Sequence, residues 1–376
     1  MGGMGMRLLI CASEYYPNGS GIANVAYNIV EEMKKSGVNC TVCSPIGPDI
    51  KLGNPELINK YGIIGLVYYW SEVSKFLELN QTKFDAVWCH NPLFIKKCSY
   101  KNIIVTIHTT YYGEFIHNVG YLHFRIYKKF ASIVEKYCLH NLSHSVPFNV
   151  VSPKVAKELE SIGIEKQRIS YIPNGVNTSL FKPSENKTSL KQKFGFPEDS
   201  RIILSLGRLT EQKDPIILIK IFGEVSVRIN NVILVIAGQG ELLNKTRELV
   251  QKNNLNNVIF LGYVDEANKP DLYACSDFYI LTSKYEGQPL TLLEAMSSGL
   301  ACIVSDIPNL DIVADARCGI IISCSDTQIA AKSIVKYIKE NHLSHNSNSR
   351  KYAENNLGWN VISDKYLKEF RGYSNL

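Results

Sequence analysis

Short apolar runs alternate with helical patterns along the first half of the chain. An apolar run at 6–13 leads into turn-forming residues, and apolar positions at helical spacing then extend from about residue 20 to Gly37. A second apolar run follows at 38–44. Short apolar runs bounded by turn formers predict buried strands, and strand, glycine-bearing turn, helix and strand predict a βαβ unit. Three further strands are predicted, at 85–90, 102–108 and 145–152.

The second half repeats this alternation after a segment rich in Pro, Asn, Ser and Lys at 173–189, which is typical of a connection between domains. Strands are predicted at 201–207, 231–238, 258–264, 278–283 and 301–306. Helices are predicted at 214–229, 240–253, 326–340, 347–356 and 359–370. We therefore predict an α/β protein with two Rossmann-like, parallel-sheet domains that face each other across a cleft. Their predicted bounds are 1–175 and 176–356, with a final segment at 357–376.

The composition is that of a globular protein, with 45% apolar and 20% charged residues. No apolar run approaches the roughly 18–20 residues that span a bilayer. The N-terminal residues are interpreted as the first strand and not as a signal peptide. Ten cysteines are scattered singly except for Cys40 and Cys43, so we expect buried thiols in a reducing cytoplasm and no zinc site.

Two glutamates, Glu286 and Glu294, lie on either side of a seven-residue run that follows a predicted strand. Glu286 lies in a loop, and Glu294 is predicted about two turns into the next helix. The residues between them that begin this helix are Gly287, Gln288, Pro289 and Leu290. Backbone amides and the helix dipole favour an anion there, so the pattern suits a nucleotide-sugar. A glycosidase-like pair of catalytic carboxylates is an alternative that the loop-to-helix placement favours less.

Two cations, Arg208 and Lys213, follow the predicted strand at 201–207. They lie five residues apart across a turn at the strand's carboxyl end, where open α/β sheets bind ligands. A guanidinium and an ammonium can converge on one diphosphate, although two solvated loop cations are the alternative. The chain has no Asp-x-Asp sequence, the acidic pair that commonly holds a nucleotide-sugar through a divalent cation. We therefore expect neither a metal nor a cofactor.

Glycines occupy two further turns between a strand and a helix. Gly238 and Gly240 lie in one, and Gly19 and Gly21 lie in the other. Glycine allows the backbone to approach a phosphate closely, although tight-turn glycines without a ligand are equally compatible. His108 ends a predicted strand and could share a proton or hydrogen bond with a sugar hydroxyl; a structural histidine is the alternative. The other seven histidines show no comparable position.

These motifs resemble those of the retaining glycosyltransferases of the GT-B fold, in the family 4 group. The E-x7-E signature of that family is similar to SKYEGQPLTLLEAMSSG at 283–299, and its diphosphate loop is similar to GRLTEQKD. Its glycine loop and interdomain segment are similar to YPNGSG and IPNGVNTSLFKP. The resemblance covers nearly the whole chain. It departs from the family at Gln212-Lys213-Asp214, where Glu-Lys-Gly is common, and at Gln288-Pro289, where Phe-Gly is commoner.

The resemblance implies roles for the residues of the second domain. Glu294 would hold the ribose hydroxyls, and Glu286 would contact the transferred sugar. The backbone that follows Glu286 would bind the phosphates. Arg208 and Lys213 would stabilise the departing diphosphate.

The resemblance also implies roles for the first domain. Gly19 and Gly21 would approach the diphosphate from the opposite domain, and His108 would lie beside the reacting centre. The last helix would cross back to the first domain. The apolar face at 359–370 agrees with such a crossing.

The expected reaction moves a sugar from a nucleotide-diphosphate sugar to a hydroxyl acceptor, with retention of configuration at the sugar carbon, a front-face mechanism and no metal. The acceptor is a glycan, a lipid-linked sugar or a small molecule. Two alternatives remain open. A sugar-nucleotide epimerase of the same fold would leave the full E-x7-E context unexplained. A silent nucleotide-sugar-binding protein would leave the intact Glu286, Arg208 and Lys213 unexplained.

The net charge of +6 is concentrated in residues 1–175, with 18 Lys and Arg against 13 Asp and Glu. A helix predicted at about 121–138 carries an apolar stripe, formed by Leu122, Ile126, Phe130, Ile133, Val134 and Tyr137. We expect the stripe to pack against the first sheet beneath a solvated basic face. The alternative is a surface that meets anionic lipid and a lipid-linked acceptor. No nucleic-acid motif accompanies the charge, so we expect no nucleic-acid partner. The scattered cysteines favour a cytoplasmic protein, and the basic surface allows a peripheral position on the inner face of the membrane.

Overall fold

The computed structural model describes residues 6–374 except 18, 20, 99, 101, 118–121 and 341–342. The chain divides into two compact units. Unit 1 comprises Met1–Gly175 and Trp359–Leu376, and unit 2 comprises Val176–Gly358. Each unit is built around one parallel sheet, as the sequence predicted.

Unit 1 contains a seven-stranded parallel sheet of order β3-β2-β1-β4-β5-β6-β7. Its strands are Arg7–Cys11 (β1), Asn39–Ser44 (β2), Ile50–Lys51 (β3), Ala86–His90 (β4), Ile103–Ile107 (β5), Phe148–Val150 (β6) and Ile169–Tyr171 (β7). Its helices, apart from the last helix of the chain, are Gly21–Lys35 (α1), Pro55–Tyr61 (α2), Ile63–Leu79 (α3), Tyr111–His117 (α4), Leu122–His140 (α5) and Pro153–Ser161 (α6).

The central strands of this sheet are buried on both faces. Every residue of β4 and β5 is buried, which is why these strands are nearly continuous apolar runs in the sequence. β1 pairs with β2 on one side and with β4 on the other. The strand order therefore reverses at β1, and the carboxyl ends beside such a reversal are where open α/β sheets bind ligands.

The packing predicted for the apolar stripe of α5 is wrong. Four members of that stripe are exposed: Ile126, Phe130, Ile133 and Tyr137. Val134 is partly buried against the core, and the side chain of Leu122 lies outside the described residues. The buried face of α5 consists instead of Ala131, Ser132, Glu135, Cys138 and Leu139. The small residues of this face allow α5 to lie close to the rest of unit 1. The Glu135 carboxylate accepts hydrogen bonds from the backbone N–H groups of Tyr111 and Tyr112.

Unit 2 contains a six-stranded parallel sheet of order β10-β9-β8-β11-β12-β13. Its strands are Arg201–Leu206 (β8), Val232–Ala237 (β9), Val258–Gly262 (β10), Phe278–Leu281 (β11), Ala301–Ser305 (β12) and Gly319–Ile322 (β13). Its helices are Lys187–Lys193 (α7), Pro215–Ser226 (α8), Leu243–Lys252 (α9), Lys269–Cys275 (α10), Leu290–Ser297 (α11), Ile312–Asp315 (α12), Thr327–Lys339 (α13) and Leu343–Asn356 (α14). The order of this sheet reverses at β8, between β9 and β11.

The last helix, Trp359–Ser374 (α15), belongs to unit 1 and packs against α1 and β4. The Tyr366 ring lies 4.8 Å from the Trp88 ring, and its hydroxyl lies 3.2 Å from Thr106 Oγ1. The predicted apolar face is buried; its members are Trp359, Ile362, Tyr366 and Phe370. The return of the last helix to the first unit is thus confirmed.

All ten cysteines are free thiols, and seven of them are buried. Cys11 lies between Cys43 and Cys89 on neighbouring strands, where burial raises the pKa of the Cys11 thiol well above its usual value. These thiols act as small core side chains. None of the helices in the described part of the chain has both the length and the apolar character needed to cross a membrane.

Candidate active site

The loops after β8 and β11 meet at the carboxyl edge of the unit 2 sheet, because these strands are parallel neighbours. The Lys284 N–H donates to the Gln212 carbonyl over 2.8 Å. The Gln212 side-chain amide donates in turn to the Tyr285 carbonyl over 2.9 Å. These hydrogen bonds fasten the GRLTEQKD loop to the loop that carries Glu286.

Lys213, which is partly buried, and Glu286, which is buried, form an ion pair at this junction. The distance from Lys213 Nζ to Glu286 Oε1 is 2.5 Å, and the two side chains are 19% and 6% exposed. Asn309 Nδ2 donates to the Glu286 carbonyl over 2.8 Å, which fixes the backbone at the glutamate. Asp214 adopts a left-handed conformation and caps α8 by accepting from the Ile217 N–H. The ammonium and the carboxylate are therefore held in place by the fold itself.

Glu294 lies about one turn into α11, closer to the helix start than the two turns predicted, because the helix begins only at Leu290. Its Oε2 lies 2.8 Å from the Tyr273 hydroxyl. Burial raises the pKa of Glu294 to about 7, although Lys269 and the Tyr273 hydrogen bond oppose this shift. A small change in its surroundings can therefore change the charge of Glu294 near neutral pH.

The segment before α11 is buried, including Gly287, Gln288 and Pro289, and Leu290 is partly buried. Pro289 occupies the position before the first helical residue, and α11 has no side-chain cap among the described residues. The amide groups of the first turn are the donors that a capping side chain would otherwise satisfy. This arrangement is compatible with the predicted phosphate site.

Gly238 and Gly240 have a packing role in the structure. A Cβ atom on Gly238 would lie 1.9 Å from the Gly207 carbonyl oxygen, and one on Gly240 would lie 2.4 Å from the Leu209 carbonyl oxygen. These glycines allow the turn after β9 to lie directly on the loop that carries Arg208. They position that loop whether or not they touch a ligand.

Arg208 lies on the solvent-exposed side of this loop. Within the described part of the chain, no group of three or more His, Cys, Asp and Glu side chains is arranged to hold a metal ion. The two predicted cations occupy different environments, with Lys213 partly buried against a carboxylate and Arg208 exposed.

Gly19 of the predicted glycine loop packs closely on the start of α1. Gly19 has a φ of 136°, and a Cβ atom there would lie 2.6 Å from the Ala23 Cβ. Gly21 is the first residue of α1. Asn18 and Ser20, between and beside these glycines, lie outside the described residues.

His108 pairs with a second histidine at the carboxyl edge of the unit 1 sheet. His90 Nδ1 lies 2.9 Å from His108 Nε2, and both rings are buried. Burial lowers the pKa of His108 to about 3, and burial together with His108 lowers the pKa of His90 well below its usual value. Both shifts favour the neutral rings, and a hydrogen bond between two neutral imidazoles needs a proton on one of the two facing nitrogens. The backbone N–H of His108 donates to Asn91 Oδ1 over 2.9 Å.

Sequence reasoning missed His90 and the contacts of Gln212 and Asn309. The signal for His90 was present, because it ends the predicted strand at 85–90 much as His108 ends the next one. Gln212 and Asn309 gave no such signal, since their partners are backbone carbonyls distant in sequence. The structure brings together Lys213 with Glu286 within unit 2, and His90 with His108 within unit 1.

This architecture, with two parallel-sheet units and a last helix that returns to the first, defines a protein of the GT-B fold. A solved structure with the same fold is WaaG, a glycosyltransferase involved in lipopolysaccharide biosynthesis. It matches with a TM-score of 0.75 at 17% identity, over 95% of this chain and 98% of that one. The family model for glycosyltransferase family 4 matches residues 19–180, and the model for glycosyl transferases group 1 matches residues 186–356. The chain belongs to the family 4 glycosyltransferases.

Two curated relatives are similar over part of their length. The UDP-Gal:alpha-D-GlcNAc-diphosphoundecaprenol alpha-1,3-galactosyltransferase of Escherichia coli is 34% identical over 60% of this chain and 56% of its own length. The alpha-monoglucosyldiacylglycerol synthase of Streptococcus pneumoniae is 25% identical over 81% of this chain and 72% of its own length. The chain thus spans little more than half of the first of these relatives.

Proposed function

We propose that this protein is a retaining glycosyltransferase that moves a sugar from a nucleotide-diphosphate sugar to a hydroxyl acceptor without a metal ion. The observation that carries the proposal is the largely buried Lys213–Glu286 pair, placed beside the start of α11 at the carboxyl edge of the unit 2 sheet. A cation, a carboxylate and helix amides lie within one short stretch of this edge. These groups match the charges along a nucleotide-sugar.

In the proposed reaction, the bond from the anomeric carbon to the diphosphate oxygen breaks, and a bond from the acceptor oxygen to that carbon forms on the same face. The acceptor's hydroxyl proton passes to the departing diphosphate oxygen. Lys213 and Arg208 stabilise the negative charge that develops on that diphosphate, the kind of effect that usually contributes most to catalysis. The two cations take the role that a divalent metal has in other transferases, and no cofactor takes part.

Glu286 contacts the transferred sugar in this proposal, and Glu294 accepts hydrogen bonds from the ribose hydroxyls. Gly287, Gln288, Pro289 and Leu290 surround the phosphates, with Gly238 and Gly240 supporting the loop of Arg208. For unit 1, the resemblance implies that Gly19 and Gly21 would approach the diphosphate and that His108 would lie by the reacting centre. The E. coli relative supports a nucleotide-sugar donor, because its name gives UDP-Gal as the donor.

The acceptor that we propose is attached to a lipid. The name of the first relative specifies a sugar linked to diphosphoundecaprenol as the acceptor, and the name of the second specifies a product built on diacylglycerol. Molecules with such lipid groups lie in a membrane, which agrees with the basic character of residues 1–175. We accordingly place the protein in the cytoplasm, peripheral to the inner face of the membrane.

Substitution of the two cations tests this proposal. Arg208→Ala and Lys213→Ala should each slow nucleotide release from the preferred donor by roughly 10–1000-fold, as when one electrostatic donor to a developing charge is removed. Lys252→Ala is the matched control, because Lys252 is an exposed lysine at the end of α9. Near-normal turnover in both Arg208→Ala and Lys213→Ala would contradict the assignment.

A further inference from the structure

The outward face of α5 carries four large apolar side chains in one line. Ile126, Phe130, Ile133 and Tyr137 are 61%, 49%, 61% and 58% exposed. Their spacing of i, i+4, i+7 and i+11 places them on a single stripe of the helix, about 17 Å long. Exposed single apolar residues are ordinary, but an aligned row of this length marks an interaction surface. We refer to these four residues as the α5 stripe.

The rotation of α5 about its axis is fixed by polar contacts on the opposite side. The buried Glu135 carboxylate accepts from the Tyr111 N–H over 3.0 Å and the Tyr112 N–H over 3.2 Å. Lys128 forms an ion pair with Glu114 on α4. A turn of the helix that buried the α5 stripe would break these contacts and expel a paired carboxylate. The stripe is therefore held towards solvent by the fold.

Basic residues accompany the α5 stripe. Arg125, Lys129 and Lys136 are exposed and lie along one side of it on the helical projection. The one acidic residue of α5 is Glu135, which is buried on the opposite face. The exposed surface of the helix thus combines apolar side chains with positive charge and carries no carboxylate of its own.

We infer that the α5 stripe and its flanking cations dock this protein on an anionic lipid bilayer, with α5 lying in the plane of the headgroups. Amphipathic helices with basic and aromatic residues bind such interfaces by inserting their apolar face about 5–10 Å. A second copy of the chain suits the surface less well, because two α5 stripes paired in antiparallel order would bring the three cations of each copy to the same side. Anionic headgroups neutralise them instead. The inference rests on the peripheral membrane placement proposed above and names the surface responsible, but it does not depend on the donor site of unit 2.

Vesicle co-sedimentation of the full chain tests the inference. The protein should sediment with vesicles of phosphatidylcholine and phosphatidylglycerol, and much less with phosphatidylcholine alone. Binding should weaken as salt rises from about 0.1 M to 1 M, which shortens the Debye length from about 10 Å to 3 Å. Ile126→Ser and Ile133→Ser should each lower the partition coefficient about tenfold. Lys129→Gln and Lys136→Gln should each lower it about fivefold at low salt.

Two control variants separate docking from general surface effects. Leu79→Ser changes an 86% exposed apolar residue at the end of α3, and Lys252→Gln changes an exposed lysine of unit 2; both should bind vesicles like the wild type. All variants should release nucleotide from a donor at the wild-type rate in the absence of vesicles. Equal vesicle binding of the wild type and of the double variant Ile126→Ser/Ile133→Ser would overturn the inference. A vesicle-independent dimer that the same double substitution dissociates would overturn it as well.

Discussion

Replacement of Lys213 by methionine should destabilise unit 2 by about 3 kcal/mol. Removing one partner of a buried ion pair costs about 3–5 kcal/mol, because the other charge stays buried without compensation. We expect the lower end of that range, since the Lys213 side chain is 19% exposed and water can reach the site partly. Methionine keeps most of the lysine's volume, so the loss of charge dominates over cavity formation.

The matching substitution on the other side is Glu286→Gln, which should cost only about 1 kcal/mol. The remaining lysine is the more exposed partner and can turn towards water, and glutamine can still accept its hydrogen bond. The double variant should be less destabilised than the sum of the single ones. The coupling energy expected for a buried contact at 2.5 Å is about 2 kcal/mol.

Urea unfolding, monitored by tryptophan fluorescence and by far-UV circular dichroism, measures this loss of stability. All three tryptophans belong to unit 1, so fluorescence reports on that unit while far-UV circular dichroism reports on both. The loss of stability should appear in the circular dichroism curve, with Lys252→Met as the control for an exposed lysine. A coupling energy below about 0.3 kcal/mol, the usual additivity error, would refute the argument that the pair is buried and preformed.

Three further predictions concern other residues. Ribose hydroxyls that donate to Glu294 favour its ionised form, so donor binding should release up to about one proton per site below pH 7 and the donor affinity should fall as the pH falls. Calorimetry in buffers of different ionisation enthalpy measures the proton release, and Glu294→Gln should abolish that release. His90→Ala leaves a buried nitrogen of His108 without its partner, so it should lower the free energy of unfolding by about 1–3 kcal/mol in thermal unfolding and should slow sugar transfer. An unchanged stability together with an unchanged transfer rate would contradict a role for the pair. Gly238→Ala places a Cβ atom 1.9 Å from a backbone oxygen and should destabilise the protein by more than Gly37→Ala, which shares the positive φ but meets nothing within 4 Å and should cost about 1 kcal/mol.

The strands were predictable because buried parallel strands correspond to short apolar runs in the sequence. The runs at 85–90 and 102–108 correspond to β4 and β5, in which every residue is buried. The strand order was not predictable from these runs. It places β8 beside β11 and so brings Lys213 to Glu286, which lie 73 residues apart in the sequence. Contacts of this kind depend on topology and not on local pattern.

The orientation of α5 shows a second limit of pattern reasoning. Helical periodicity identified one apolar side, but it does not say which side faces the core. Here a buried glutamate and small residues face inward, since the backbone N–H groups at the start of α4 provide the partners that a buried carboxylate needs. The apolar side of α5 is therefore left exposed.

Nucleotide release from a panel of UDP-, GDP- and ADP-sugars, measured with lipid-linked acceptors and with EDTA present, tests the central claim most directly. We expect one donor to release its nucleotide diphosphate undiminished by EDTA, with the sugar transferred to the acceptor, and Glu286→Gln to slow the release. A donor returned as its epimer, or bound without any release, would contradict a transferase site at Lys213 and Glu286. Release that is lost in EDTA and restored by a divalent cation would contradict the metal-independent mechanism.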